Sequence, residues 1–318
     1  VAATAVIQGH MTLGMMLAVQ YIIGQLNSPV EQLMNFFYSV QDVKISLERI
    51  NEIHQMDDEN GKDGLLTGLE HPEDGIHISN ILFKYDPHAL RKTIDGVDIH
   101  IPQGKVTAIV GVSGSGKTTL IRLMLGYYPV LEGKITIGDT DINQLNRKWW
   151  RRQCGVVMQE GVIFSESIGR NIAVDDAEID EDRLMRAAEI ACIKDYVMAL
   201  PLKFNTKIGR DGVGLSQGQK QRILIARAVY KNPDYIFLDE ATNSLDANNE
   251  RNIVENLDKF YQGKTVVIVA HRLSTVKNAD QIVVLDQGKV VEVGNHESLT
   301  AKRGAYYNLV KNQLELGN

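Results

Sequence analysis

The sequence has few of the residues that mark specialised structural classes. Its 318 residues include only 2 cysteines and 7 prolines. Cys154 and Cys192 lie far apart without metal-type spacing, so the sequence indicates neither a disulfide framework nor a zinc site, and a reducing compartment fits. Because 44% of the residues are hydrophobic, wholesale disorder is excluded. We therefore predict a folded chain.

An excess of basic charge is also missing. The chain has 34 Lys and Arg against 40 Asp and Glu, for a net charge of −6. A protein that binds nucleic acid by neutralising phosphates normally carries a net positive charge. We therefore predict no nucleic-acid partner, while a local basic pocket is still allowed.

The sequence also lacks a long uninterrupted hydrophobic run, although one segment is nearly apolar throughout. Residues 13–37 contain no Lys or Arg and would span about 37 Å as a helix, enough to cross a bilayer of about 30 Å. The segment is interrupted by polar residues and one proline, namely Gln20, Gln25, Asn27, Pro29 and Glu31. This pattern favours a membrane helix packed against others around a polar cavity, with an amphipathic soluble helix as the alternative. Apolar residues continue at helical spacing to Ile50, which predicts that the helix extends into water.

The composition changes after this helix. Residues 57–75 are acidic and Gly-rich, which is typical of a linker. Short β-branched runs then alternate with helical stretches, and this pattern predicts an α/β domain with a largely parallel sheet. The predicted strands are 76–83, 106–110, 134–137, 155–158, 235–238, 265–269, 282–285 and 290–293. No strand is predicted between 176 and 232, so we expect a helical insertion there.

A phosphate-binding loop follows the strand predicted at 106–110, and a helical run follows the loop. It consists of Gly111, Val112, Ser113, Gly114, Ser115, Gly116, Lys117, Thr118 and Thr119. In such a loop, backbone N–H groups converge on phosphate oxygens and the helix N-terminus adds a positive dipole end. Lys117 would neutralise the terminal phosphates and Thr118 would bind Mg²⁺. The sequence therefore predicts a site for a nucleoside triphosphate.

Two acids close the apolar strand predicted at 235–238. In a parallel sheet this strand end faces the ligand crevice. There Asp239 would hold the Mg²⁺ shell, and Glu240 would orient or deprotonate a water molecule. Taken alone, the pair fits a structural role equally well.

Residues 215–222, Leu-Ser-Gln-Gly-Gln-Lys-Gln-Arg, come before a further helical run. Ser216 and Gln219 have the spacing of a capping box, and this segment could do no more than start that helix. Following a phosphate loop and preceding an Asp-Glu strand, however, it resembles the signature motif of ATP-binding cassette (ABC) proteins. The resemblance covers residues 76–318.

This resemblance implies further site residues and their roles. Tyr85 matches the aromatic residue that stacks on adenine, and Gln159 matches the glutamine that touches Mg²⁺. Asp246 matches the D-loop, and His271 matches the switch histidine that orients the attacking water with Glu240. Lys117 and the Mg²⁺ held through Thr118, Gln159 and Asp239 would act on ATP. A second copy would contribute its residues Ser216, Gly218 and Asp246 to each site. Gln219 of the signature segment would also be a nucleotide-binding residue.

Two segments depart from the family pattern. Gln217 stands where the family usually has Gly, which bears on the strength of dimer closure. Lys207 and Arg210 occupy the position of the exporters' coupling loop, where acidic residues are usual. The contact partner of that loop is therefore left open.

The resemblance further implies the C-terminal part of an ABC exporter, similar to peptide and bacteriocin exporters that often carry an N-terminal cysteine peptidase. Residues 1–56 would end the membrane domain, 57–75 would be the linker, and 76–318 would form a P-loop ATPase domain with a helical subdomain at about 176–232. Its cofactors would be ATP and Mg²⁺. Its partners would be a second nucleotide-binding domain, upstream membrane helices, the lipid bilayer of the cell membrane and a transported substrate, with the ATPase on the cytoplasmic side. The alternatives are a soluble ABC ATPase of DNA repair or translation, and a cassette that only binds ATP as a clamp.

Overall fold

The computed structural model describes residues 2–55, 64–86, 88–174, 176–210, 212–241, 247–270 and 276–316. The predicted site residues Asp246 and His271 lie outside the described residues. The chain divides into two compact units, Val1–Gly61 and Lys62–Asn318. Each unit is described by itself.

The first unit is helical. A short helix α1 (Ala2–Ile7) precedes α2 (Leu13–His54), whose N-terminus is capped by Thr12 through a 3.2 Å hydrogen bond from the Met15 N–H to Oγ1. Pro29 lies inside α2, and none of the α2 residues is buried. The predicted long helix is thus confirmed.

The predicted bilayer crossing of residues 13–37 is not supported by hydropathy. Within the part of the chain that the structure describes, no helix combines the length and the apolar character needed for a membrane span. Polar residues such as Gln20 and Gln25 lower the mean hydropathy of the segment.

The second unit contains two sheets. One is a four-stranded antiparallel sheet in the order β2-β1-β4-β5, formed by β1 (Ile76–Phe83), β2 (Ile94–Ile101), β4 (Glu132–Ile137) and β5 (Thr140–Asp141). The sequence patterns predicted neither β2 nor a separate antiparallel sheet. Strand β2 was missed although its buried residues Val97, Ile99 and Ile101 alternate with exposed ones, the pattern of a strand that buries one face.

The larger sheet has six strands in the order β10-β9-β3-β8-β7-β6. These are β3 (Val106–Val110), β6 (Cys154–Val157), β7 (Tyr235–Asp239), β8 (Thr265–Val269), β9 (Gln281–Asp286) and β10 (Lys289–Gly294). All neighbouring pairs are parallel except β10 with β9. The predicted parallel sheet is therefore confirmed, with one antiparallel edge strand.

Both faces of this sheet are covered. Along β7, Ile236 and Leu238 join one apolar cluster, while Tyr235 and Phe237 join the other. A strand buried on both faces reads as a continuous apolar run rather than an alternating one. This explains why the strands that carry the site were the easiest to predict.

Helices surround the sheets, and several of them form the predicted helical insertion. They are α3 (Lys117–Met124), α4 (Arg147–Gln153), α5 (Ile168–Ile172), α6 (Glu181–Ile190), α7 (Lys194–Met198), α8 (Gln217–Lys231), α9 (Ala247–Phe260), α10 (His296–Lys302) and α11 (Ala305–Leu316). Between 176 and 232, leaving aside residue 211, the structure contains helices α6 to α8 and no named strand.

Candidate functional site

The phosphate loop joins the end of β3 to the start of α3. The Ser115 N–H donates to the Val112 carbonyl at 3.2 Å, and the Leu120 N–H donates to the Gly116 carbonyl at 2.9 Å. Gly116 has φ +103°, and a Cβ there would lie 2.7 Å from Ile94 Cδ1. Only glycine fits this position without strain. Because no side chain caps α3, its first N–H groups are left for an anion.

Lys117 occupies the centre of this loop. Its Nζ donates to the carbonyl oxygens of Gly111 and Val112, both at 2.9 Å, and the residue is buried. Burial lowers the pKa of the ammonium group, and the negative charges of Glu240 and Asp239 oppose that shift. The loop thus holds a cation within electrostatic reach of both predicted acids.

Asp239 ends β7 with only 1% of its surface exposed. Among the described residues, neither of its carboxylate oxygens has a partner at full hydrogen-bond geometry. Burial raises the pKa of the Asp239 carboxyl, whereas the nearby Thr118 hydroxyl lowers it. A buried carboxylate without a partner is costly unless a cation or donor satisfies it.

This arrangement fits Mg²⁺ bound together with a nucleotide. In the described part of the chain, no three His, Cys, Asp or Glu side chains cluster as a metal site. Mg²⁺ usually takes one or two protein carboxylates and completes its octahedron with phosphates and water. Asp239 and Thr118 would therefore hold the ion, whose charge would neutralise phosphate oxygens.

Glu240 has an unusual backbone conformation. Its φ is +52°, in the left-handed region, and its N–H donates to the Val269 carbonyl at 3.0 Å. Such a conformation costs a non-glycine residue about 1–3 kcal/mol, and functional sites are where it is commonly found. The Glu240 charge raises the pKa of Asp239, so the two acids lie within electrostatic reach of each other.

Tyr85 lies against the phosphate-loop helix. Its hydroxyl is 3.1 Å from Thr119 Oγ1 and accepts a 3.3 Å hydrogen bond from Arg122 Nη1. The residue is 48% exposed. The structure thus places the predicted adenine platform beside α3, and it adds Arg122, which no sequence motif singled out.

The signature segment starts α8 with a complete capping box. The Gln219 N–H donates to Ser216 Oγ at 3.2 Å, and the Ser216 N–H donates to Gln219 Oε1 at 2.8 Å. The capping interpretation of the sequence is therefore confirmed. The Ser216 hydroxyl accepts in this box, so its own hydrogen can still be donated to another group. Ser216 and Gly218 are not joined to the phosphate loop by any contact described for the chain.

Other predicted residues lie around the edge of this site. Gln159 is exposed in a turn just after β6, the strand next to β7. Val112, Ser113 and Gly114 form the exposed side of the phosphate loop. In the coupling-loop position, the Arg210 N–H donates to Ser165 Oγ at 3.1 Å. The structure thus joins Lys117, Asp239 and Glu240 at one end of the sheet and leaves Gln159 without a described contact to them.

Comparisons with known proteins agree with this geometry. Residues 94–243 match the protein family described as "ABC transporter". The leukotoxin translocation ATP-binding proteins LktB of Mannheimia haemolytica and Bibersteinia trehalosi are 39% identical to this chain over 314 residues. That match covers 99% of this chain but 44% of either relative, so the chain spans less than half of their length.

A solved structure is also similar. It is a bacterial Atm1-family ABC exporter with ATP bound, with a TM-score of 0.81 and 31% sequence identity. The match covers 96% of this chain and 53% of the exporter chain.

Proposed function

Because this chain belongs to the ABC transporter family, we propose that its nucleotide site drives export of a substrate across a membrane. ATP-binding domains of this family hydrolyse ATP. One observation in this chain carries the proposal. Lys117 interacts electrostatically with the two acids Asp239 and Glu240 at the end of one sheet.

The proposed reaction is the attack of water on the γ-phosphorus of ATP. A bond forms from the water oxygen to this phosphorus, the bond from the phosphorus to the β–γ bridging oxygen breaks, and ADP and phosphate are released. Lys117 and the N-terminus of α3 neutralise phosphate charge, while Asp239 and Thr118 hold Mg²⁺. Glu240 orients the water and accepts its proton, and so acts as the general base. Catalysis of this kind depends on positioning and charge stabilisation. We further propose that Gln159, His271 and Gln219 complete the site and that a second copy contributes Ser216, Gly218 and Asp246.

The apolar surface of α2 supports a membrane role. Its large hydrophobic side chains are exposed along the whole helix, with Phe36 61%, Phe37 59% and Ile53 71% exposed. An apolar surface of this extent normally meets a partner or a membrane. We propose that α2 packs with further helices of a membrane domain and that the ATPase lies on the cytoplasmic side.

The cargo is inferred from a relative. LktB is named for leukotoxin translocation, and this name favours a polypeptide as substrate over a small molecule. A peptide or bacteriocin is the cargo that we propose for this chain.

Co-sedimentation with lipid vesicles tests both halves of this proposal. The chain is mixed with vesicles without detergent, and phosphate release from Mg-ATP is measured in pellet and supernatant. We expect ATPase activity in the pellet, because α2 would bury its apolar side chains in lipid. The Lys117→Ala variant should sediment equally but show no activity.

Two other results would contradict the proposal. Activity that stays in the supernatant would favour a non-transport ABC ATPase. A chain that binds ATP without releasing phosphate would favour an ATP clamp.

A further inference from the structure

The hydroxyl group of Tyr85 has two partners on one helix. Both Thr119 and Arg122 belong to α3, and they lie 3.1 Å and 3.3 Å from Tyr85 Oη. A tyrosine that served only as apolar packing would need neither hydrogen bond. The hydroxyl therefore connects the Tyr85 ring to the helix that carries the phosphate loop.

Aromatic contacts fix the orientation of the same ring. Phe83 and Tyr128 contact Tyr85 in edge-to-face geometry, with centroid distances of 5.0 Å and 5.3 Å and interplanar angles of 84° and 88°. Even so, 48% of Tyr85 is exposed. The ring thus packs against two aromatic side chains while part of the residue stays open to a ligand.

Arg122 interacts both with this ring and with one acid of the site. It donates to Tyr85, and its charge also lowers the pKa of the Asp239 carboxyl. Arg122 could therefore affect nucleotide binding in two ways, through the Tyr85 ring or through the Asp239 end. An effect through the Tyr85 ring would require a ligand with a nucleoside, whereas an effect through Asp239 would also be seen with a ligand that has only phosphates.

We propose that Arg122 is a positioning residue for the nucleoside, which holds the Tyr85 ring at a fixed place relative to the phosphate loop. The inference rests on the proposed function, since it assumes that ATP binds with its base on Tyr85. Because the ring is bound to α3, the base platform and the phosphate cradle belong to one rigid element. A site fixed in this way loses less entropy when the nucleotide binds.

The test compares two ligands on the full chain, Mg-ATP and Mg-tripolyphosphate, which lacks the nucleoside. Arg122→Ala and Tyr85→Phe each remove the hydrogen bond between these residues. Each variant should bind ATP about 3- to 10-fold more weakly, the usual range for one hydrogen bond, and bind tripolyphosphate as the wild type does. Tyr85→Phe also removes the contact with Thr119 Oγ1. The double variant should therefore be no weaker than Tyr85→Phe alone, because the hydrogen bond that Arg122→Ala removes is already lost in that variant.

Three further variants complete the design. Tyr85→Ala also removes the ring and should weaken ATP binding by about 5- to 150-fold. Arg186→Ala, an exposed arginine on α6, is the matched control and should change neither affinity. Thermal unfolding verifies that each variant folds. If Arg122→Ala does not fold, the test relies on Tyr85→Phe, which removes one oxygen, and on Arg122→Lys. Arg122→Lys keeps a donor and should recover part of the ATP affinity.

Several outcomes would overturn the inference. An equal loss of ATP and tripolyphosphate affinity would mean that Arg122 acts through Asp239 or the phosphates. Additive losses in the double variant would mean that the two residues act separately. An unchanged ATP affinity in Arg122→Ala would mean that Arg122 does not position the nucleoside. A wild-type chain that binds neither ligand would instead refute the proposed function itself.

Discussion

Replacing Glu240 with glutamine is expected to stop ATP turnover while leaving ATP binding intact. Glutamine has nearly the shape of glutamate, so the strain of the backbone at this position, where φ is +52°, should be about the same in both proteins. The amide cannot accept the proton of the attacking water. Loss of a general base typically costs about 10²–10⁴ in rate, so kcat should fall at least about 100-fold by this measure.

Phosphate release and equilibrium ATP binding are both measured for this variant. With ATP bound but not hydrolysed, the variant should accumulate as a dimer with ATP, which light scattering would detect. Glu178→Gln, at an exposed glutamate, is the matched control and should hydrolyse ATP normally. Normal turnover in Glu240→Gln would remove Glu240 from the proposed reaction.

Mixing two inactive chains is expected to restore ATPase activity. Lys117→Ala removes the cation from the phosphate loop, and Ser216→Arg places a bulky side chain at the start of α8. If Ser216 acts on the ATP that is bound by the other copy, one site of a mixed dimer collects both lesions and the other site has none. At equal mixing, activity should reach about a quarter of wild type when half of the dimers are mixed and the sites act independently.

A second mixture provides the control. Lys117 and Glu240 lie within electrostatic reach of each other in one chain, so in the proposed mechanism both would act on the same bound ATP. A mixed dimer of Lys117→Ala and Glu240→Gln chains therefore has one lesion in each site and should show no recovery. Crosslinked dimers of the first mixture that bind ATP without any activity would count against shared sites.

Sequence patterns predicted the parts of the fold that depend on burial. The strands β3, β7 and β8 are apolar runs buried on both faces of a parallel sheet. The phosphate loop follows β3, and the two acids lie at the end of β7. Strand β2 was missed although Val97, Ile99 and Ile101 alternate with exposed residues in its sequence, Ile-Asp-Gly-Val-Asp-Ile-His-Ile. A strand buried on one face contains fewer apolar residues than a strand buried on both, so its pattern is weaker.

Other features depend on contacts between distant parts of the chain. The left-handed backbone of Glu240 is held by the carbonyl of Val269 on another strand, and no local preference of glutamate predicts it. The hydrogen bond between Arg122 and Tyr85 joins residues 37 positions apart. By contrast, the Ser216–Gln219 capping box was predictable because it is local, and it does not reveal whether Ser216 also meets a second chain.

The central claim, that ATP is hydrolysed at a site shared by two copies, is tested most directly by the ATPase rate per chain as the chain concentration is varied. An activity that depends on association rises with protein concentration and then saturates. We expect the rate per chain to rise in this way from dilute solution and to reach a plateau. A rate per chain that stays constant over about a hundredfold dilution that separates the copies would contradict a site built from two chains.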